Sequence, residues 1–166
     1  HTGKYGSGGN VGEMHKAACL MPMRGRGGGR KDIISYMETV KFDELQLDER
    51  IIRAITEMGF EEASPIQAQA IPVAMEGRDM IGQAQTGTGK TAAFALPILQ
   101  ILNEKAAEKN TSAPKALILV PSRELAMQVA ANIEGYGVNL QVKSVAVYGG
   151  ANIAPQSKKL IAGVDL

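Results

Sequence analysis

Tryptophan is absent from the 166 residues, and the few cysteine and histidine residues lie near the start of the chain. The single cysteine (Cys19) and both histidines (His1 and His15) fall within residues 1–36. Residues 37–166 therefore cannot hold a Ser-His-Asp or Cys-His catalytic group or a zinc site of the usual Cys/His type. One cysteine also excludes an internal disulfide framework. Catalysis in residues 37–166 is left to phosphate binding, carboxylates, Lys/Arg or hydroxyls.

Long apolar runs are also lacking. No run approaches the ~20 residues that cross a bilayer, so the sequence predicts neither a transmembrane protein nor a membrane partner. A secretory signal is not expected, because no apolar core follows the first basic residues. With 45% hydrophobic and 21% charged residues, the composition is that of a globular protein with about one domain. The scarcity of cysteine favours a reducing compartment, and we expect a cytoplasmic protein.

Glycine and charge are divided unevenly along the chain. Residues 1–36 hold 9 of the 19 glycines and six Lys/Arg against two acids, whereas residues 37–166 carry twelve Lys/Arg against fifteen acids. The first segment shows no hydrophobic period, so we expect a disordered Gly/Arg-rich head over residues 1–36 and one folded domain over residues 37–166. The head can be interpreted as an RGG-like arm that attracts RNA phosphates or as a solvated tail translated from upstream sequence.

Helical and strand patterns alternate after the head. Asp48, Ser64 and Ser122 are each placed to cap a helix, and Gly59 to end one. Short apolar runs at residues 80–84, 116–120 and 142–148 predict strands, and residues 164–166 resemble the start of another. This alternation predicts an α/β fold with a parallel sheet, flanking helices and right-handed crossovers. Ligands of such sheets bind at the carboxyl ends of the strands.

The most specific motif is a glycine-rich loop that follows a predicted strand and opens a predicted helix. Residues 84–91 read Ala-Gln-Thr-Gly-Thr-Gly-Lys-Thr, which is the phosphate-loop pattern with alanine in place of its first glycine. Gly87 and Gly89 allow backbone N–H groups to converge on phosphate oxygens. Lys90 supplies a charge for the outer phosphates, and the Thr91 hydroxyl suits a Mg²⁺ ligand. The alternative is a glycine-rich turn with a solvated lysine.

Two residues upstream of this loop could select a base. The Gln67 side-chain amide can satisfy the N6 donor and N7 acceptor of adenine, and the Phe42 ring could stack on the base. However, Ser64 and Gln67 are also spaced as a helix capping box. The residues alone leave both interpretations of Gln67 open, and the two can coexist.

Taken together, these segments resemble the DEAD-box ATP-dependent RNA helicases, most closely the bacterial members. The resemblance covers about residues 39–166. Residues 59–67 resemble the Q motif, and residues 84–91 resemble motif I, in which alanine at the first position is usual. Residues 121–128 resemble motif Ia, with serine where threonine is commoner, and Gly149-Gly150 resembles the family's glycine doublet. Residues 163–165 resemble the run that leads into the next RNA-contacting motif.

This resemblance implies a P-loop NTPase core of the RecA-like type, with ATP, Mg²⁺ and RNA as its ligands. Phe42 and Gln67 would select adenine, Ser64 would support the pocket, and Lys90 and Thr91 would be catalytic. The phosphates and Mg²⁺ would be held by Gln85, Thr86, Gly87, Thr88, Gly89, Lys90 and Thr91. The RNA sugar-phosphate backbone would be contacted, with little sequence preference, by Pro121, Ser122, Arg123, Gly149 and Gly150.

Several parts of the family's machinery do not occur in the sequence. The Asp-Glu-Ala-Asp motif, the Ser-Ala-Thr motif and the second RecA-like domain are all missing. We therefore expect the first part of a first helicase domain, C-terminally truncated, with an incomplete sheet and marginal stability. Such a chain would bind adenine nucleotides weakly but would neither hydrolyse ATP nor unwind RNA alone. The alternatives are another P-loop NTPase, such as a DNA helicase or kinase, and a non-enzymatic RNA-binding protein that uses the head.

Overall fold

The computed structural model describes the backbone of residues 19–22 and the whole of residues 40–105 and 113–166. No helix in these ranges is long and apolar enough to cross a membrane. The elements in chain order are β1 (Cys19–Pro22), β2 (Val40–Lys41), a 3₁₀ turn (Phe42–Leu45), α1 (Glu49–Glu57), β3 (Glu62–Ala63), α2 (Pro65–Met75), β4 (Met80–Gln83), α3 (Lys90–Glu104), α4 (Arg123–Tyr136) and α5 (Ile153–Ile161).

The helices begin where the sequence predicts, because their first residues carry local capping signals. The Asp48 carboxylate accepts a hydrogen bond from the Arg50 backbone N–H (2.9 Å) at the start of α1. Ser64 precedes α2, which has Pro65 in its first turn, and the Ser122 hydroxyl accepts from the Leu125 N–H (3.2 Å) to cap α4. Gly59 follows α1 with a φ of +87°, a conformation that glycine adopts without strain.

The core lies where α1, α2, α3 and α4 face one another. Its most deeply buried side chains are at most 1% exposed: Ile51, Ile55, Ile71, Leu96 and Leu99. Each contributes about 1.5–3 kcal/mol of hydrophobic stabilisation. An aromatic chain extends this core, since Phe60 makes edge-to-face contacts with Phe42 (6.4 Å between ring centroids) and with Tyr136 (6.0 Å).

A polar cluster ties the start of α1 to the end of α3. The Asp48 backbone N–H donates to Gln100 Oε1 (2.7 Å), and Asn103 Nδ2 donates to the Asp48 carboxylate (3.1 Å). The hydrogen bonds from the Arg50 side chain, followed by that from its backbone N–H, lower the pKa of Asp48 to about 2. Asp48 is therefore charged at neutral pH and holds both helices.

The strand pairings include one that the sequence did not predict. β1 pairs with β4 in an antiparallel register that sets Cys19 opposite Gln83, and β2 pairs with β3 with Val40 opposite Ala63. Within the head, the structure describes only residues 19–22, which form β1; the rest of residues 1–36 lies outside the described residues, and the disorder expected for the head stays a prediction. An unpaired strand edge offers N–H and C=O groups that any extended segment can satisfy, whatever its side chains.

Backbone hydrogen bonds join the later segments in which strands are predicted, but these segments form no regular strands. The Asp165 carbonyl accepts from the backbone N–H groups of Lys115 (2.8 Å) and Ala116 (3.1 Å), and the Asp165 N–H donates to the Lys143 carbonyl (2.8 Å). The Val145 N–H in turn donates to the Leu166 carbonyl (3.0 Å). The segments at residues 116–120 and 142–148, where strands are predicted, therefore have no continuous ladder of backbone hydrogen bonds. A continuous ladder needs a partner along the full segment, and here only residues 165 and 166 lie between them.

Candidate nucleotide-binding site

The loop between β4 and α3 has the backbone geometry of an anion cradle. Gly87 and Gly89 both adopt a φ of +83°, and Gly89 is the N-cap of α3. The Gly89 carbonyl already accepts from the Ala93 N–H (3.2 Å). The N–H groups of the first turn of α3 have no partners within the helix, so they are available to an anion together with the positive end of the helix dipole.

Lys90 lies across this loop. Its Nζ donates to the carbonyl of Ala84 at the start of the loop (2.5 Å), and the side chain remains exposed. The Thr88 hydroxyl donates to the Gln85 carbonyl (2.7 Å), which tightens the turn. Thr91 follows in the first turn of α3 and is half-buried. The structure therefore groups the phosphate-loop residues on one surface, with the ammonium group placed over it.

The start of α2 is hydrogen-bonded directly to the loop. The Ser64 hydroxyl donates to the Thr88 carbonyl (2.8 Å), and Gln67 Nε2 donates to the Gly89 carbonyl (3.2 Å). Gln67 Oε1 also accepts from the Ser64 backbone N–H (2.8 Å), and the side chain is only 2% exposed. The capping interpretation of Gln67 is confirmed. Local sequence patterns do not indicate the two bonds to the loop, because these bonds join residues more than twenty positions apart.

Phe42 occupies a different environment from the one its predicted role requires. The ring is 3% exposed and belongs to the core beside Phe60. The surface that would stack on adenine is therefore covered in this structure. The physical reason is that burying an aromatic ring among apolar neighbours gains more free energy than leaving it at the protein surface.

The predicted RNA-contacting residues form a second surface. Arg123 is exposed at the start of α4 and lies against Glu124 (3.2 Å between Arg123 Nη2 and Glu124 Oε1). Gly150 has a φ of +75°, and the Arg123 Nη1 atom is 3.7 Å from the position that a Cβ on Gly150 would occupy. The structure thus brings together Arg123 and the Gly149-Gly150 turn, with Pro121 and Ser122 immediately before α4.

One residue of this second surface was missed by sequence reasoning. Gln156, on α5, makes hydrogen bonds with the backbone of Tyr148 on one side of the glycine doublet. The only feature of the sequence that could have indicated this role is the position of Gln156, near the start of a helix that follows a glycine-rich turn. Within residues 40–105 and 113–166, no group of three His, Cys, Asp or Glu side chains is arranged to hold a metal ion.

A strand, a Gly-x-Gly-Lys-Thr turn and a helix that begins at the lysine define a P-loop nucleotide-binding protein. Residues 64–166 match the DEAD/DEAH box helicase family. The chain belongs to this family, and nothing in the comparisons favours a kinase, a DNA helicase or a non-enzymatic RNA-binding protein.

Relatives from bacteria share nearly half of the aligned residues. The chain is 48% identical over 120 residues to the ATP-dependent RNA helicase CshA of Listeria monocytogenes, which covers 72% of this chain and 22% of that protein. It is 48% identical over 115 residues to the DEAD-box ATP-dependent RNA helicase RhpA of Helicobacter pylori, with 69% and 22% covered. The chain therefore spans under a quarter of the length of these relatives.

Solved structures confirm the RecA-like α/β fold. A DEAD box protein from Methanococcus jannaschii superposes with a TM-score of 0.64 at 40% identity, over 75% of this chain and 33% of that one. The RNA helicase Prp28 from Chaetomium thermophilum, crystallised with ADP, gives a TM-score of 0.67 at 37% identity, over 74% and 30%. The predicted fold class is confirmed.

Proposed function

We propose that this chain is the ATP-binding part of an RNA helicase that couples ATP binding and hydrolysis to local unwinding of RNA duplexes. The observation that carries the proposal is the phosphate loop itself, with Lys90 over its backbone and with Ser64 and Gln67 hydrogen-bonded to its carbonyls. The names of the CshA and RhpA relatives, which call them ATP-dependent RNA helicases, support the assignment, as does the ADP bound to Prp28.

The loop residues fit a nucleoside triphosphate and Mg²⁺. Gly87 and Gly89 let the backbone N–H groups approach phosphate oxygens, and Lys90 would exchange its hydrogen bond with the Ala84 carbonyl for the outer phosphates. The Thr91 hydroxyl would be a Mg²⁺ ligand. When bound, the metal ion supplies positive charge that neutralises the phosphates. Gln85, Thr86 and Thr88 complete the loop around them.

Gln67 retains the hydrogen-bonding capacity that adenine needs. A glutamine amide has two N–H donors and two acceptor lone pairs, and the bonds to Gly89 and Ser64 use one of each. The remaining N–H and lone pair match the N7 acceptor and N6 donor of adenine. Capping of α2 and selection of the base can coexist in one side chain, but Gln67 is only 2% exposed, so adenine contact would require its remaining N–H and lone pair to become accessible when the base binds.

Arg123 and the Gly149-Gly150 turn are our proposed contacts to the RNA backbone. All three residues are exposed, and the Arg123 guanidinium lies beside Gly150. A guanidinium and exposed backbone N–H groups recognise phosphate rather than base edges, so binding would show little sequence preference. Pro121 and Ser122 would flank this contact. We assign the protein to the cytoplasm, in keeping with its single cysteine.

Nucleotide selectivity tests this function. We expect the chain to bind a fluorescent ATP analogue weakly in the presence of Mg²⁺, with ATP competing better than GTP. Gln67→Ala should reduce this preference about tenfold, since a bidentate amide contact discriminates between bases by 1–3 kcal/mol. Lys90→Ala should weaken ATP and GTP alike. The chain alone should release no phosphate from ATP.

Gln69→Ala on the same helix is the matched control. Its side chain is half-buried and forms no hydrogen bond with the loop, so this variant should keep the preference for ATP. A Gln67→Ala chain that remains folded, as judged by its melting temperature, and still prefers ATP would contradict the proposed role of Gln67 in selecting adenine. Phosphate release stimulated by RNA would contradict the expectation that the chain alone is inactive.

A further inference from the structure

The glycine doublet is held by a side chain outside the recognised motifs. Gln156, in the second turn of α5, accepts a hydrogen bond from the Tyr148 backbone N–H at Oε1 (3.0 Å). Its Nε2 atom donates to the Tyr148 carbonyl (3.2 Å) and to the Asn152 carbonyl (3.3 Å). One amide thus pairs with the N–H and C=O of a single residue, as a neighbouring strand would do.

These bonds fix both ends of the exposed turn. Tyr148 immediately precedes Gly149-Gly150, and Asn152 follows it. The Asn152 side chain accepts from the Ala154 N–H (3.0 Å) and begins α5. Between these two anchors, Gly150 adopts a φ of +75°, which a residue with a side chain adopts only with strain. The turn therefore has a defined shape although Gly149 and Gly150 are both exposed.

The turn lies beside Arg123. The Arg123 Nη1 atom is 3.7 Å from the position that a Cβ on Gly150 would occupy, and the same guanidinium group is hydrogen-bonded to Glu124 Oε1 (3.2 Å), so both the turn and Glu124 help to position the side chain. If the turn moved, this support for the long arginine side chain would be lost, together with the spacing between the guanidinium and the backbone N–H groups of the turn. Ordering such a side chain in advance reduces the entropy lost on binding.

We propose that Gln156 is a positioning residue for RNA binding. It holds the Gly149-Gly150 turn, and through that turn Arg123, in the arrangement that receives the sugar-phosphate backbone. This inference rests on the proposed function, because it requires that Arg123 and the glycine turn contact RNA. A purely structural role for Gln156 would stabilise α5 without changing the contribution of Arg123.

The test measures binding of a fluorescent single-stranded oligouridylate to the full chain by anisotropy. Gln156→Ala should weaken binding about fivefold, since the hydrogen bonds that order the turn are lost. Gln156→Met keeps the length of the side chain, adds no charge and makes none of these hydrogen bonds, so it should give a similar loss. Ser157→Ala, the neighbouring residue on α5, takes no part in these bonds and should bind like the unmutated chain.

A double-mutant cycle separates positioning from stability. If Gln156 acts partly through Arg123, the loss in the double variant Arg123→Ala/Gln156→Ala should be clearly smaller than the product of the two single losses, whereas independent effects would multiply. Should Gln156→Ala fail to fold, Gln156→Met takes its place in the cycle. Multiplying losses, or unchanged binding by Gln156→Ala beside a clear loss in Arg123→Ala, would overturn the positioning role alone. Unchanged binding by Arg123→Ala would overturn the RNA contact itself and this role with it.

Discussion

Gly87 and Gly89 share the same backbone conformation but have different surroundings. Both have a φ of +83°, yet a Cβ on Gly87 would meet no atom within 4 Å. A Cβ on Gly89 would instead press directly onto Gln67 Nε2, with Gln67 Cδ at 3.2 Å. Gln67 is 2% exposed and hydrogen-bonded to the loop, so it has little room to move. Comparing substitutions at the two glycines therefore separates the cost of backbone strain from the cost of close packing.

Alanine at these two positions should consequently have unequal effects. Gly87→Ala should lower the free energy of unfolding by about 1 kcal/mol, the cost of a left-handed conformation for a residue with a Cβ. Gly89→Ala should lower it by about 3 kcal/mol, because overpacking against Gln67 adds to that strain. Urea unfolding followed by circular dichroism measures both, and each variant is the other's control. Equal losses would show that the contact between Gly89 and Gln67 carries no energy.

Ser64, Gln67 and Phe42 show how much of the site can be predicted from local sequence. The spacing of Ser64 and Gln67 correctly predicted a capping bond, since both partners lie within one helical turn. The spacing could not predict that Gln67 also holds the Gly89 carbonyl or that the Phe42 ring is buried. These contacts depend on how α2, α3 and the 3₁₀ turn pack together, and single-residue patterns carry no information on that packing.

At the scale of elements, two helices contain an internal proline in contrasting environments. Pro72 lies inside α2 and is exposed, whereas Pro97 lies inside α3 and is fully buried. Each proline lacks the N–H that would donate to the carbonyl four residues earlier, which costs helix stability. Only Pro97 offsets this cost by filling space in the core.

Replacing each proline with alanine should therefore give different results. Pro72→Ala should raise the free energy of unfolding by about 1 kcal/mol, since the restored hydrogen bond outweighs the greater freedom of the unfolded chain. Pro97→Ala should raise the free energy of unfolding by less than Pro72→Ala does, or should lower it, because the smaller side chain leaves a cavity in the core. Thermal and urea unfolding of the two variants measure the difference. A loss of stability in Pro72→Ala would show that this proline shapes α2 in a way the rest of the chain requires.

Helices were also easier to predict than strands for a physical reason. Capping residues lie next to each helix in the sequence, and α1, α2 and α4 begin where these signals place them. A strand forms only against a partner, so the apolar runs at residues 116–120 and 142–148 predicted extended backbone but could not predict pairing. The pairing of β1 with β4 was invisible for the same reason, because nothing in the glycine-rich head indicates where its backbone would find a partner.

For the molecule as a whole, residues 116–120 leave one apolar face uncovered. Ile118 and Val120 pack against the core, whereas Leu117 and Leu119 are 81% and 84% exposed. These leucines border a cleft of about 500 Å³ that runs between α4 and residues 144–149. An uninterrupted apolar run is typical of a strand that is buried on both sides, but in the described part of the chain only one side of residues 116–120 is covered.

Such a surface should make the chain associate with itself. An extended segment with unpaired backbone groups and exposed leucines is a template for another copy, and a net charge of +1 provides little repulsion between molecules. We expect sedimentation velocity to show species that grow with protein concentration, and the double variant Leu117→Lys/Leu119→Lys to reduce them strongly. The melting temperature should hardly change, since neither leucine is buried.

Ile153→Lys/Ile161→Lys on α5 is the matched control for this prediction. These isoleucines are 73% and 83% exposed, so the control removes a similar amount of apolar surface and adds the same charge. However, the backbone of α5 is already hydrogen-bonded within the helix and cannot pair with another copy. An equal reduction by both pairs of substitutions would mean that association follows from exposed apolar area and net charge alone. A reduction confined to the Leu117/Leu119 pair would locate the association at the uncovered strand.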